Sequence, residues 1–260
     1  MSQPHRIESR DNPLLVQLRK LAQDSTAYRK QGALWLEGDH LLRACVQRGH
    51  ALQQLVVSES GWSDVAVRRL VGGLPAVRTV LLPDALFRGI SGLESPPPIG
   101  ALVALPAVQA LDPAADSLVL DRVQDAGNVG SMLRSAAAFG VRQVLALKGT
   151  AALWSPKVLR AGMGAHFGLS LIEGLELDRL DALTVPLLAT SSHAAQSLPQ
   201  LQLPAPCAWV MGHEGQGVQA ALLQRCHATV RIPQPGGEES LNVAAAAAVC
   251  LYESARSRFQ

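Results

Sequence analysis

Residues 118–140 read LVLDRVQDAGNVGSMLRSAAAFG and contain, in order, an apolar run, a polar turn and a helical stretch. Leu118–Leu120 predicts a buried strand, and Val129–Phe139 predicts a helix that ends at Gly140. Gln143–Leu147 then predicts the next strand. A helix between two strands is the unit from which parallel sheets are built, so this stretch favours an α/β fold.

The same alternation extends over most of the chain. Helices are expected from Asn12-Pro13 and Ser155-Pro156, since an N-cap residue followed by proline is typical of a helix start. Further helices are predicted from Asp39 to Arg48, from Ser63 to Val71 and from Leu241 to Arg256. The other predicted strands are Ala33–Leu36, Leu52–Val57, Arg78–Leu82, Ile99–Leu105, Leu187–Thr190, Ala208–Met211 and Thr229–Ile232.

Two domains are predicted. Prolines and aspartates cluster just before residue 117, which is typical of a linker. We therefore assign residues 1–106 to a smaller α/β domain, 107–116 to the linker and 117–260 to the larger α/β domain. No internal repeat is evident in the sequence.

The composition excludes several classes of protein. Of the 260 residues, 48% are hydrophobic and the net charge is only +2, so neither a disordered nor a strongly basic protein is expected. The N-terminal residues lack the apolar segment of a signal peptide, and Val243–Leu251 is far shorter than the ~20 residues of a membrane span. The cysteines show no C-x-x-C pair, which favours reduced thiols in the cytoplasm over a metal site.

Three clusters of glycine and polar residues each follow a predicted strand, at the edge where open α/β sheets bind ligands. They are residues 125–134 (DAGNVGSMLR), 211–217 (MGHEGQG) and 232–242 (IPQPGGEESLN). Taken singly, the first is also explained by a helix capped by Asn128 with Arg134 on the surface. The second is explained by an ordinary glycine-rich turn, and the third by a loop with Ser240 as a helix cap.

Taken together, the clusters resemble the three motifs of the SpoU/TrmH-type RNA ribose 2′-O-methyltransferases, in the SPOUT superfamily. The resemblance covers about residues 117–258, and residues 7–38 are similar to a substrate-binding domain found in many members. It implies a C-terminal α/β domain with a mainly parallel sheet and a deep trefoil knot, plus a smaller L30e-like α/β domain. It also implies S-adenosylmethionine as cofactor and a homodimer formed through the C-terminal domain.

The resemblance also assigns site residues. The catalytic positions are Arg134, Asn128, Glu214, Ser240 and Asn242. The cofactor-binding positions are Gly212, Ile232 and Leu241, with Thr190 as an added contact. The chain departs from the common pattern at Ala126, His213 and Gln234, where many members carry proline, asparagine and methionine, and no catalytic position is lost.

The expected reaction needs no metal, because S-adenosylmethionine already carries a strong leaving group. The ribose hydroxyl, however, is a poor nucleophile until its proton is removed or its developing charge is stabilised. The family gives this task to the arginine that matches Arg134. A free guanidinium is a poor base, so either the site promotes its deprotonation, or Arg134 stabilises the alkoxide while phosphate or water takes the proton.

The positive charge lies in the first domain. Residues 1–95 contain 12 Lys and Arg and 9 Asp and Glu, a net charge of +3, whereas the rest of the chain has −1. Arg19, Lys20, Arg29 and Lys30 are the predicted phosphate contacts, although an arginine-rich composition can also reflect the genome. The two-domain layout favours ribosomal RNA, of the 23S type, over tRNA as substrate.

Two other functions are open. The first is an RNA-binding protein on the same scaffold without catalytic turnover, which the intact set of catalytic positions argues against. The second is a nicotinamide-dependent oxidoreductase, suggested only by the α/β alternation. No G-x-G-x-x-G motif follows a first strand, so the second has little support.

Overall fold

The computed structural model describes residues 4–236 and 240–256. The chain divides into two compact units. The first contains the described residues up to Ala107 together with Trp154–Phe167. The second contains Val108–Leu153 and the described residues from Gly168 onward. Residues 154–167 thus belong to the first unit, whereas the sequence assigns them to the larger domain.

Residues 5–104 form a five-stranded mixed sheet with helices around it. The strand order is β1-β4-β3-β5-β2, in which β5 is antiparallel to both neighbours and the other pairs are parallel. The elements are β1 (His5–Arg6), α1 (Pro13–Gln23), α2 (Ala27–Gln31), β2 (Ala33–Glu37), α3 (Asp39–Gln47), β3 (Leu52–Ser58), α4 (Glu59–Ser63), α5 (Val65–Gly73), β4 (Thr79–Leu82), α6 (Asp84–Arg88) and β5 (Ile99–Ala104).

Side-chain caps explain where these helices begin. Asn12 Oδ1 accepts a hydrogen bond from the Leu14 N–H at 3.0 Å, so the predicted start of α1 is confirmed. Asp39 is the first residue of α3, and Gly38 is the N-cap residue. The helix expected from Ser63 begins two residues later, as α5, because the Asp64 carboxylate accepts the Ala66 N–H at 2.6 Å and caps it. Ser63 itself is the last residue of α4.

The rest of the chain alternates strands and helices. Its elements are β6 (Ser117–Leu120), α7 (Ala126–Ala138), β7 (Gln143–Leu147), α8 (Pro156–Gly162), β8 (Ser170–Leu175), β9 (Leu187–Thr190), β10 (Gln196–Ser197), β11 (Ala208–Met211), α9 (Ala220–Leu223), β12 (Ala228–Arg231) and α10 (Val243–Arg256). Short 3-10 helices occur at Ala165–Gly168, Leu177–Ala182 and Leu198–Gln200.

Helix α8 packs within the first unit. It begins as predicted, with Ser155 Oγ accepting the Val158 N–H at 3.4 Å, and it contacts α1 and β2. Arg160 lies 3.6 Å from the Glu37 carboxylate, which is almost fully buried. These contacts explain why this segment joins the first unit.

The second unit is built on a seven-stranded sheet in the order β10-β12-β9-β11-β6-β7-β8. All six strand pairs are parallel. The expectation of a mainly parallel sheet is therefore confirmed for this unit. Strand β11 is inserted between β6 and β9, and β12 between β9 and β10, so the last two strands lie between strands formed earlier in the chain.

Helix α10 closes one side of the second unit. It packs on α7 and on β11. The Trp209 side chain of β11 is buried and donates from Nε1 to Ser254 Oγ of α10 at 2.7 Å. No disulfide joins the four cysteines, all of which lie in the described ranges. Among the helices that the structure describes, none has the length and apolar character needed to cross a membrane.

Candidate active site

Three neighbouring strands place predicted cofactor residues at one edge of the parallel sheet. Thr190 is the last residue of β9, Gly212 follows β11 and Ile232 follows β12. These strands are adjacent and parallel, so their carboxyl ends open on the same side. Open α/β sheets bind ligands at this edge.

The Asn128 side chain does not cap α7, contrary to the sequence-based expectation. Asp125 is the N-cap residue, and its Oδ1 accepts the Asn128 backbone N–H at 2.7 Å. A carboxylate at this position satisfies a donor of the first helical turn that has no partner within the helix. The Asn128 amide therefore remains available to partners outside α7.

Asn128 joins the three motifs through that amide. Its Nδ2 donates to Glu214 Oε1 at 3.1 Å, and its Oδ1 accepts a hydrogen bond from Asn242 Nδ2 at 2.9 Å. Glu214 also accepts the backbone N–H groups of Gln124, at 3.2 Å, and of Asp125, at 3.0 Å. One residue from each predicted motif thus takes part in a single chain of hydrogen bonds, the Asn128 network.

Asn242 connects this network to the start of α10. Its Oδ1 accepts the backbone N–H groups of Ala244, at 2.9 Å, and Ala245, at 3.2 Å, in the manner of an N-cap asparagine. The sequence suggests Ser240 as the cap of this helix, but in the structure Asn242 is the residue that caps it. Because the same side chain donates to Asn128, the first turns of α10 and α7 are held together.

The Asn128 network favours the ionised form of Glu214. Partial burial of the carboxylate opposes ionisation, but donation from the Asp125 N–H, the Asn128 amide and the Gln124 N–H outweighs that effect. The net result is a pKa for Glu214 below its ordinary value. At neutral pH the Glu214 side chain is therefore an anion that accepts these three hydrogen bonds.

A tight turn presents Glu214. The backbones of His213 and Gly217 exchange two hydrogen bonds, at 3.0 and 2.8 Å, and Gly217 adopts φ +67°. A Cβ atom at Gly212 would overlap the backbone of Gly217 and Val218. Glycine is therefore required at position 212 and favoured at 217, where other residues would be strained.

A buried carboxylate that was not predicted from the sequence anchors this turn. Asp121 follows β6 and is fully buried, and it accepts the backbone N–H and the side-chain Nε2 of Gln219, both at 2.7 Å. Arg122 donates from Nε to Asp121 at 3.0 Å and from Nη1 to Gln216 Oε1 at 3.1 Å. The signal in the sequence that could have identified Asp121 is the pair of opposite charges, Asp121 and Arg122, directly after the apolar strand.

A cavity of about 380 Å³ lies at this edge of the sheet. That volume is within the range of small-molecule sites, about 300 to 1,000 Å³. It is lined by the four predicted cofactor positions, by Glu214 and Ser240 among the predicted catalytic positions, and by both polar and apolar side chains. The lining residues are Thr190, Ser191, Ser192, His193, Gly212, His213, Glu214, Gly215, Gln216, Gly217, Val218, Leu223, Ile232, Gln234, Ser240, Leu241, Val243 and Ala246.

Arg134 is not part of the Asn128 network. It is exposed on α7 and has no hydrogen bond or ion pair to another residue that the structure describes. Six residues, about one and two-thirds helical turns, separate it from Asn128, so the two side chains leave α7 on different faces. Residues 237–239 of the third motif lie outside the described residues.

The predicted RNA contacts lie in the first unit. Arg19 and Lys20 are in the last turns of α1, and Arg29 and Lys30 are in the last turn of α2. Lys20, Arg29 and Lys30 are exposed, and Arg19 is partly buried. Four cations thus occur within 12 consecutive residues on two successive helices.

Comparison with known proteins identifies the family. The model of the SpoU rRNA Methylase family matches residues 116–252. The chain belongs to the SpoU rRNA methylase family. This finding confirms the resemblance predicted from the three motifs, and the matched range includes the whole Asn128 network.

Three relatives of this SpoU chain match its sequence or its structure over nearly the full length. An uncharacterized tRNA/rRNA methyltransferase of Synechocystis is 33% identical over 97% of this chain and 94% of its own. The 23S rRNA (guanosine(2553)-2′-O)-methyltransferase of Bacillus subtilis is 29% identical over 95% and 97%. A crystal structure of an RNA 2′-O ribose methyltransferase, 31% identical, covers 98% of this chain and all of its own, with a TM-score of 0.82.

The depressed pKa of Glu214 predicts a pH-dependent contribution to stability. A carboxylate with a lowered folded-state pKa stabilises the fold above its unfolded value, about 4.3, and this contribution is lost as the pH falls through the folded value. Glu214→Gln should therefore lower the thermal unfolding midpoint at pH 7, and the difference from wild type should shrink as the pH falls below about 4.3. Glu94→Gln, at an exposed carboxylate, is the control, and a constant difference for Glu214→Gln would contradict the assignment.

Proposed function

We propose that this protein transfers a methyl group from S-adenosylmethionine to a ribose 2′-hydroxyl of RNA, most specifically of 23S ribosomal RNA. The observation that carries the proposal is the Asn128 network, which joins the three family motifs beside a cavity of suitable size. The B. subtilis relative, which is named for this reaction on 23S rRNA, matches both units of the chain.

The cavity residues fit the cofactor. Gly212, Gly215 and Gly217 of the turn line the cavity and carry no side chain, so backbone groups of the turn can contact a ligand. Ile232 and Leu241 offer apolar surface and Thr190 a hydroxyl, which together suit a molecule with an aromatic base and polar ends. When bound, S-adenosylmethionine supplies an electrophilic methyl group and a neutral thioether leaving group.

We assign the catalytic roles as follows. Arg134, as an exposed and charged guanidinium, stabilises the alkoxide that develops on the ribose oxygen while a phosphate group of the RNA or water accepts the hydroxyl proton. Asn128, Glu214 and Asn242 hold the motif loops in register through their hydrogen bonds, and Ser240 orients the ribose from the cavity wall. In-line transfer depends on such positioning, because small displacements of the reacting atoms lower the rate greatly.

We assign RNA recruitment to the first unit, as an L30e-like domain. The cations of α1 and α2 suit phosphate contacts, which dominate the affinity of proteins for nucleic acids. Arg29 also lies over the Tyr28 ring, 5.5 Å from its centroid, so its guanidinium is held in one orientation.

We further propose a knotted homodimer in the cytoplasm. Insertion of β11 and β12 between earlier strands is the topology that a C-terminal trefoil knot requires. Val249 and Tyr252 of α10 are large apolar residues that are 40% and 48% exposed, and Tyr252 packs edge-on against Phe139. A second copy that covered this face would bury them. Reduced cysteines agree with a cytoplasmic site of action.

The reaction is tested by mapping 2′-O-methyl groups in RNA from a deletion strain. One ribosomal RNA position should lose its methyl group and regain it on complementation with wild type. Arg134→Ala should not restore it, although the purified variant should bind S-adenosylmethionine with wild-type affinity. If no ribose methyl group disappears, the function is wrong. If Arg134→Ala restores full methylation, the role of Arg134 is wrong.

The recruitment role is tested by charge reversal. Arg29→Glu/Lys30→Glu should raise the dissociation constant for substrate RNA and flatten its dependence on salt, since each phosphate contact adds about 0.7 to 0.9 to the logarithmic slope. Reversal of Arg19 and Lys20 as well should enlarge both effects. Arg68→Glu/Arg69→Glu on α5 changes the net charge equally and is the control. Equal effects of the two double variants would contradict the assignment.

A further inference from the structure

The residue that follows the buried Asp121 has an unfavourable backbone conformation. Arg122 adopts φ +59°, in the left-handed region that favours glycine. Its backbone N–H donates to Thr150 Oγ1 at 3.1 Å, and that hydroxyl donates to the Leu120 carbonyl at 3.0 Å. Residues other than glycine persist in this region where surrounding contacts hold them, and they cluster at functional sites. The contacts of the Arg122 side chain show what this conformation achieves.

The Arg122 side chain connects the end of β6 to the 212–217 turn. Its Nε and Nη2 lie 3.0 and 3.5 Å from the two carboxylate oxygens of Asp121, and its Nη1 donates to Gln216 Oε1 at 3.1 Å. Its Cγ lies 3.1 Å from the position that a Cβ atom on Gly149 would take, so the aliphatic stem packs on that glycine. Because a guanidinium is a planar and rigid set of donors, its pairing with Asp121 fixes the direction of Nη1.

This contact orients Gln216 within the turn. Gln216 is exposed and lines the cavity, and among the described residues Arg122 is the hydrogen-bond partner of its side chain. A guanidinium can only donate, so the Gln216 amide must present its oxygen to Arg122. The loss of Arg122 would release the Gln216 side chain to several rotamers and remove one of the contacts that hold the turn.

We infer that Arg122 is a positioning residue for cofactor binding, which holds Gln216 and with it the 212–217 turn in the conformation that binds S-adenosylmethionine. The inference rests on the proposed function, since it concerns the same site. Arg122 acts on the cofactor site through Gln216. Its loss should therefore raise the KM for S-adenosylmethionine and leave kcat nearly unchanged.

The first test is calorimetric titration of the purified full-length protein with S-adenosylhomocysteine. Arg122→Gly suits the positive φ, so the backbone bond to Thr150 is kept while the side-chain contacts are removed. The dissociation constant should rise about fivefold, equivalent to ~1 kcal/mol and typical of one lost hydrogen bond. With RNA from the deletion strain as methyl acceptor, the KM for S-adenosylmethionine should rise about fivefold while kcat stays within about twofold of wild type.

Two further variants separate positioning from folding. Gln216→Ala removes the acceptor from an exposed side chain and keeps the Asp121–Arg122 pair, so the melting temperature should not change while the dissociation constant rises by a similar factor. Both variants break the same bond, so Arg122→Gly/Gln216→Ala should bind about as well as Arg122→Gly alone. Met163→Gly, at an exposed residue of the first unit that also has a positive φ, is the matched control.

Each outcome decides the inference. It is overturned, while the proposed function stands, if folded Arg122→Gly or Gln216→Ala binds as wild type does, or if the two single losses multiply in the double variant. An equal loss in Met163→Gly, or a fall in kcat with an unchanged KM, overturns it as well. If Arg122→Gly does not fold, Gln216→Ala decides alone. If wild type does not bind S-adenosylhomocysteine, the proposed function fails and the inference fails with it.

Discussion

The two hydrogen bonds of the Asn128 side chain are the contacts on which the site depends. One bonds Glu214 and the other Asn242, so a single amide fixes three chain segments that are far apart in sequence. This is possible because Asp125 caps α7 and leaves the Asn128 amide free of that task. An amide can donate and accept at once, which explains why asparagine suits the central position better than an ionised carboxylate, which can only accept.

The parallel sheet supplies the rest of the arrangement. Strands β12, β9 and β11 are neighbours, so the residues after each of them meet at one edge and line one cavity. The buried Asp121 carboxylate secures the far end of the 212–217 turn through Gln219. The turn that bears Glu214 is thereby held at both ends. Positioning of this kind is what a methyl transfer without a metal requires of the protein.

Much of this could be predicted from the sequence, and the failures have local physical causes. Strands and the caps at Asn12 and Ser155 were predictable because apolar runs and N-cap residues are local signals. The cap of α7 was misassigned because Asp125 and Asn128 are both good cap residues, and only the fold shows which one has a distant partner. The Glu214 and Asn242 contacts are non-local, so motif order suggested them but no spacing could. Arg134 is separate from the network because it lies six residues after Asn128 on α7, and residues at that spacing are on different faces of a helix.

The most direct test of the account is a double-mutant cycle between Asn128 and Glu214, with S-adenosylhomocysteine affinity as the readout. Asn128→Ala and Glu214→Ala should each weaken binding, because each releases the motif loops from one another. If the two act through one shared bond, the loss in the double variant should be smaller than the product of the single losses by about fivefold, or ~1 kcal/mol. Losses that multiply would show independent action and contradict the central role of the Asn128 network.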